Sequence, residues 1–238
     1  MVLTLHDSFR AKNYYEGHNA PESGIVPAGV FVKKAIRTEA SKQGAHAEGS
    51  GTKATGSHSH SEGYGAKAIG TTSHAEGNKT TAEGDFSHAQ GSNTVAKGRF
   101  SHASGGSSET TKDYAFAHGY AAKAQGTAST AMGSSATASG EYSTAQGLHV
   151  EATGKSQTVI GQYNSPDSSK AFIVGYGDSK SSPKNIHTID TEGNAEFLGE
   201  VNASNGRLIS ENEVQSMLEQ FDVPEDYYVL SSESPIEE

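Results

Sequence analysis

Glycine recurs every seven residues through the middle of this chain, and no other sequence feature restricts the fold as strongly. From Gly49 to Gly161, sixteen of the seventeen positions at this spacing are glycine, and Lys112 is the exception. The residue two places before each position is alanine in all but three cases. A short fixed period is the sequence signature of a solenoid, in which stacked units bury one another's inner faces.

Alternate heptads differ, so the true repeat is fourteen residues. One half reads Ser-His-Ala-Glu-Gly, as at 73–77, and the other reads Thr-x-Ala-x-Gly, as at 80–84. A helix is excluded because each interior glycine would cost about 1 kcal/mol, and collagen needs glycine at every third position. The pattern predicts a coil of two short strands joined by two glycine corners, since glycine accepts positive φ.

Strand alternation divides each Ser-His-Ala-Glu-Gly unit into two faces. Serine, alanine and glycine share the inner face, and histidine and glutamate share the outer one. A few alanine methyl groups per coil, at about 25 cal/mol per Å² of apolar area, cannot offset the ordering of fourteen residues. We therefore expect the roll to associate with further copies of itself.

Two later units carry a family resemblance. Ser-Thr-Ala-Met-Gly at 129–133 and Gln-Thr-Val-Ile-Gly at 157–161 resemble the Ser-Val-Ala-Ile-Gly repeat of YadA-like trimeric adhesin heads. The resemblance implies an all-β fold, a left-handed parallel β-roll of 14-residue coils. It also implies a homotrimer in which three rolls pack around a three-fold axis, with the residue before each alanine facing that axis.

Where the family has apolar residues at that position, this chain has a histidine ladder and then Phe116. The expected trimer-interface residues are His46, His60, His74, His88, His102 and Phe116. One interpretation is a polar interface, in which the histidines hydrogen-bond to Glu48, Glu62, Glu76 and Gln90. The other is an axial site for a metal ion or an anion, because three symmetry-related imidazoles would meet in each layer. No other cofactor is predicted.

The repeat divides the chain into four segments. Residues 1–43 are an N-terminal attachment or cap segment, 44–161 the β-roll and 162–209 a small β collar with larger apolar residues. Residues 210–238 are a short helix and an acidic tail, and a Ser-x-x-Glu capping box at 210–213 begins the helix. Its apolar stripe either forms a three-helix bundle or packs on the collar.

The segment around Lys112 keeps the spacing but loses the repeat pattern. We expect a distorted corner or a small protruding loop at Lys112, Asp113 and Tyr114. Loops on a rigid scaffold often carry contacts, so these residues are a candidate recognition loop. The alternative is a tolerated defect in the repeat.

Composition argues against several classes of function. The net charge is −10 without a basic cluster, which argues against nucleic acid as a partner. The chain has no cysteine, which excludes disulfides and thiolate metal sites, and no apolar run long enough to insert in a membrane. Polar residues form ladders rather than a convergent pocket, so we predict that the protein is not an enzyme.

The sequence shows neither a secretory signal nor a C-terminal membrane anchor. We therefore expect a phage head or tail fibre, which is a virion protein assembled in the host cytoplasm. It would join other virion proteins through residues 1–43 and contact a host receptor. The alternative is a bacterial surface adhesin domain. A third possibility is an ice- or crystal-binding solenoid with an array formed by Thr52, Thr80 and Thr94.

Overall fold

The structure is a computed structural model that describes residues 38–199 and the backbone of 31–33, 202–203 and 206–207. The chain divides into two compact units, Met1–Glu196 and Phe197–Glu238. The described part of the first unit is a parallel β-solenoid with one coil for every fourteen residues, as the repeat predicts.

Each coil contributes one long strand and one short strand, numbered here in chain order. The long strands belong to a 13-stranded sheet, called the wide sheet. Its strands are β1 (Phe31–Lys33), β3 (His46–Ser50), β5 (His60–Tyr64), β7 (His74–Asn78), β9 (His88–Ser92), β11 (His102–Gly106), β13 (Phe116–Tyr120), β15 (Thr130–Ser134), β17 (Thr144–Leu148), β19 (Thr158–Gln162), β20 (Lys170–Tyr176), β21 (Asn185–Asp190) and β22 (Ala195–Phe197).

The short strands form a nine-stranded sheet, called the narrow sheet. Its strands are β2 (Glu39–Ala40), β4 (Lys53–Ala54), β6 (Lys67–Ala68), β8 (Thr81–Ala82), β10 (Val95–Ala96), β12 (Glu109–Thr110), β14 (Lys123–Ala124), β16 (Thr137–Ala138) and β18 (Glu151–Ala152). Neighbouring strands within the roll are parallel and shifted by one whole coil, so that Ala75 pairs with Ala89 and Gly77 with Gly91. Each residue type of the repeat therefore forms a straight column.

Alanine columns fill the interior, as the strand alternation predicts. Ala47, Ala75, Ala89 and Ala103 are completely buried. Inner-face serines are also buried, and five of them donate a hydrogen bond of 2.7 Å to the carbonyl oxygen of the glycine three residues earlier. They are Ser59, Ser73, Ser101, Ser129 and Ser143. The small side chains allow the two sheets to lie close together, and these five serines satisfy their own hydroxyl groups.

The threonine array expected of an ice- or crystal-binding solenoid does not reach the surface. Thr52, Thr80 and Thr94 are completely buried. Each precedes a short strand and points into the narrow interior, because the inner face of the repeat includes this position. The prediction of an ice- or crystal-binding surface built from these threonines is therefore wrong.

Glycine is required because successive coils approach very closely. A Cβ atom on Gly84, whose φ is ordinary, would lie 2.0 Å from the carbonyl oxygen of Gly98. A Cβ atom on Gly77, where φ is +110°, would lie 2.1 Å from the carbonyl oxygen of Gly91. Both glycine columns are thus set by contact between coils.

The expectation that glycine forms both corners needs a correction. The corner residues with left-handed helical φ lie in two other columns, and most of them are not glycine. Asn93 (φ 55°) and Phe100 (φ 56°) are examples from one coil. A left-handed conformation costs an L-residue roughly 1–2 kcal/mol, and the ladder of hydrogen bonds between coils maintains it here: the amide N–H of Phe100 donates to the carbonyl oxygen of Asp85 at 3.0 Å.

The last coil is closed by a glutamine in the serine column. Gln157 is completely buried; its Nε2 donates to the carbonyl oxygens of Asp167 and Lys170, each at 2.6 Å. Its Oε1 accepts from the amide of Thr153 at 2.8 Å. Beyond it, larger apolar side chains enter the core, and Ile173 is completely buried. Strands β20 and β21 lie in the segment predicted to be a small β collar, and they pair antiparallel.

In the second unit, the structure describes one short antiparallel pair, β23 (Asn202–Ala203) and β24 (Gly206–Arg207). The helix predicted from residue 210 and the acidic tail lie outside the described residues. In the described part of the chain, no helix has the length and apolarity that crossing a membrane would require.

Candidate functional site

The predicted histidine ladder exists as one column on the outer face of the wide sheet. His46, His60, His74, His88 and His102 each begin a long strand, and in-register pairing places each beside the next. Phe116 continues the column in β13. The shared face follows from the fourteen-residue period, and its position at a three-fold axis stays a prediction. We call this outer surface the ladder face.

The imidazole rings stack along the roll. The ring centroids of His46 and His60 lie 4.8 Å apart, as do those of His60 and His74, and His74 and His88 follow at 4.7 Å. These three pairs are within 7° of parallel, whereas His102 meets His88 edge-on at an angle of 71°. The stack is therefore regular over four coils and changes at the fifth.

The hydrogen bonds expected from the Nε2 atoms of His60, His74 and His88 to the outer-face carboxylates are not formed within the chain. His60 Nε2 lies 3.7 Å from a carboxylate oxygen of Glu62, and His74 Nε2 lies 3.9 Å from one of Glu76. The Nε2 atoms of His60, His74 and His88 are inaccessible to solvent and have no hydrogen-bond partner. Buried nitrogen atoms without a partner are uncommon, so this column has unused ligand or proton-binding capacity.

Burial lowers the pKa values of His88 and His102, which we call the upper ladder. Desolvation, followed by repulsion from protonated His74 and His102, lowers the pKa of His88 from 6.5 to about 4. Desolvation and His118 lower the pKa of His102 in the same way. Both effects disfavour the charged imidazolium, so these two rings are neutral at physiological pH.

A groove runs beside the ladder, and the sequence patterns did not predict it. Glycine follows each glutamate or glutamine of the outer face, and the absence of side chains there leaves a shallow, open groove of about 510 Å³. Its lining consists of Glu48, Glu62, Gly63, Glu76, Gly77, Gln90 and Gly91. Packing between coils demands the glycines, and the groove is a consequence of that demand.

The expected distorted loop around Lys112 is not present. Strands β11, β12 and β13 keep the spacing of the neighbouring coils, and Lys112 occupies an ordinary turn. The guanidinium of Arg99 holds Asp113, with Nη2 and Nε donating to Oδ2 at 2.6 and 2.9 Å, and lowers the pKa of that carboxyl. Whether Lys112, Asp113 and Tyr114 recognise a partner stays a prediction.

A column of aromatic residues at one corner was missed by the sequence analysis. Phe86, Phe100 and Tyr114 stack with ring centroids 4.9 and 5.2 Å apart, and each ring is about half exposed. Their spacing of fourteen residues was a visible signal. A pattern in which glycine forms both corners does not predict side-chain contacts there.

Comparison with known families agrees with this geometry. Two copies of the YadA head domain repeat match the chain, at residues 61–87 and 124–147. The first match includes His74 of the ladder, and the second includes Thr130 and Thr144 of the same column. Among curated proteins, none matches the chain significantly.

Proposed function

We propose that this chain is a homotrimeric attachment protein, because two stretches of its roll match the YadA head domain repeat. Such repeats point to a trimeric-adhesin-type surface protein with a structural rather than an enzymatic fold. In the proposed trimer, the roll is a rigid shaft that holds the contact surfaces away from the attachment end.

The ladder face is the observation that supports self-association through this surface. Its imidazole side chains keep about a third of their area exposed in the single chain, for example 37% for His74 and 34% for His88. The core beneath them consists mainly of alanine methyl groups. A second and third copy over this face would bury the stacked rings and add the apolar contact that each roll lacks.

Cysteine cross-linking tests the assembly directly, because the chain has no cysteine of its own. Thr144 continues the ladder column in β17, and Lys123 points outward on the narrow sheet. We expect Thr144→Cys to give disulfide-linked pairs of chains on oxidation, and Lys123→Cys to remain unlinked. Linkage of Lys123→Cys alone would place the interface on the opposite sheet and contradict the proposal.

For the location of the protein, we propose that it forms a fibre of a phage particle. Support comes from the strands after the roll: the run from Phe172 to Val174, followed by β21 and the turn at Gly193, resembles the collar of phage fibre proteins. Residues 1–43 would then join other virion proteins. The alternative is a domain of a bacterial surface adhesin. In both cases a host surface is the proposed partner.

Immunogold labelling of particles and cells from a culture that produces the full chain separates the two locations. Label on released particles supports the virion fibre. Label confined to the cell envelope contradicts it and favours the bacterial adhesin.

A further inference from the structure

We propose that Glu62, His74 and Glu76 form a binding site for a transition-metal cation of the zinc class on the ladder face. Each residue offers one ligand atom, and these atoms lie within 4.8 Å of one another. All three come from a single chain, so the site does not depend on the proposed trimer.

The unused nitrogen of His74 is the first argument for a ligand. Its Nε2 is buried, has no hydrogen-bond partner and lies 3.9 Å from Oε2 of Glu76. Zinc binds imidazole nitrogen and carboxylate oxygen at about 2.0–2.2 Å, which places tetrahedral ligands about 3.4 Å apart. Rotation of the Glu62 and Glu76 carboxylates until their oxygens lie about 3.4 Å from Nε2 would give three protein ligands, with water in the fourth position, and would satisfy the buried nitrogen.

The second argument is the placement of the carboxylates. In-register pairing puts Glu62 directly beside Glu76 on neighbouring strands, an arrangement in which like charges repel. Both line the groove that the glycine column leaves open, so a cation has access to them. A bound divalent cation would replace this repulsion with attraction.

Imidazole and carboxylate together select the class of cation. Nitrogen from histidine suits zinc, nickel and copper, whereas calcium and magnesium prefer sites made only of oxygen. The layers of His88 and His102 lack the full set, because the residues two places after them are Gln90 and Ser104. The layer of His60 repeats the residue types with Glu48 and Glu62, but among the described residues only Glu62, His74 and Glu76 bring three ligand atoms within 4.8 Å of one another. The chain therefore supplies a matched control within the same column.

The test is calorimetric titration of the full chain with ZnCl₂, after chelator treatment and dialysis. We expect one high-affinity site per chain. His74→Gln and Glu76→Gln should each lower the affinity by at least about tenfold, the lower end of what even a lost outer-shell partner costs a metal site. His102→Gln and the exposed-site control Glu83→Gln should bind zinc as the parent chain does, and excess CaCl₂ should not displace it.

Three results would overturn the proposal. The first is the absence of stoichiometric zinc binding by the parent chain. The second is unchanged affinity in both His74→Gln and Glu76→Gln, and the third is an equal loss in His102→Gln, which would assign binding to the whole histidine column. Circular dichroism of each variant confirms that the β-roll is intact, and cross-linking of Thr144→Cys reports separately on the trimer.

Discussion

At the scale of single residues, glycine has a different role from the one its periodicity suggests. The spacing alone predicts that every seventh residue lacks a side chain, but it does not say which constraint is responsible. Gly84 has an ordinary φ and Gly77 a positive one, yet a Cβ atom at either position would collide with the next coil. Contact between coils is therefore the shared reason, and left-handed φ is a secondary one.

Gly77 and Gly193 give a matched test of this explanation. Both have positive φ, +110° and +93°, but a Cβ atom on Gly193 would meet nothing within 4 Å. Alanine costs conformational energy at both positions, roughly 1–2 kcal/mol. At Gly77 it also forces two coils apart, and we expect a further loss of about 1–3 kcal/mol, typical of overpacking. Chemical denaturation of Gly77→Ala and Gly193→Ala measures the difference, and equal losses would show that φ alone selects glycine.

At the scale of strands and columns, the fourteen-residue period predicted the columns of identical residues correctly. It predicted the structure wrongly where the repeat pattern changes. The histidine ladder follows from fourteen-residue spacing, since in-register parallel strands must align His74 with His88. Lys112 illustrates the failure: a missing glycine predicted a distorted loop, but the coils on both sides and the Arg99–Asp113 ion pair keep an ordinary turn. The groove beside the ladder depends on the distances between coils, and residue spacing in the sequence does not give those distances.

The upper ladder makes the stability of the roll depend on pH. The pKa of His88 is about 4 in the folded chain against an ordinary 6.5, because burial and the neighbouring histidines disfavour the charge. Between these values the unfolded chain binds a proton that the folded chain does not. The stability contributed by neutral His88 is therefore complete above about pH 6.5 and is lost as the pH falls through the folded pKa.

His88→Val removes this proton and supplies the apolar side chain of related heads. Thermal unfolding between pH 8 and pH 4.5, with EDTA present to exclude metal binding, compares the variant with the parent chain. We expect the variant to be at least as stable at pH 8 and to lose less stability in acid. The same acid dependence in both proteins would place His88 in a solvated environment and remove the basis of this prediction.

At the scale of the whole molecule, the roll is long and its core is thin. Most of the fully buried side chains are alanine, serine and threonine, and larger ones such as Val159 and Ile173 enter only near the end of the roll. The sequence predicted the solenoid because every coil repeats one pattern. The sequence does not identify what covers the ladder face, because histidine occurs both at interfaces between chains and on surfaces that face solvent.

The central claim is that three chains share the ladder face, and the mass of the protein in solution tests it most directly. Light scattering across a dilution series into the micromolar range should give three times the chain mass of 24.8 kDa at every concentration, with the β-roll signal retained in circular dichroism. A folded, stable species of 24.8 kDa at micromolar concentration would contradict the claim, since it would show that the alanine core is sufficient for a single roll.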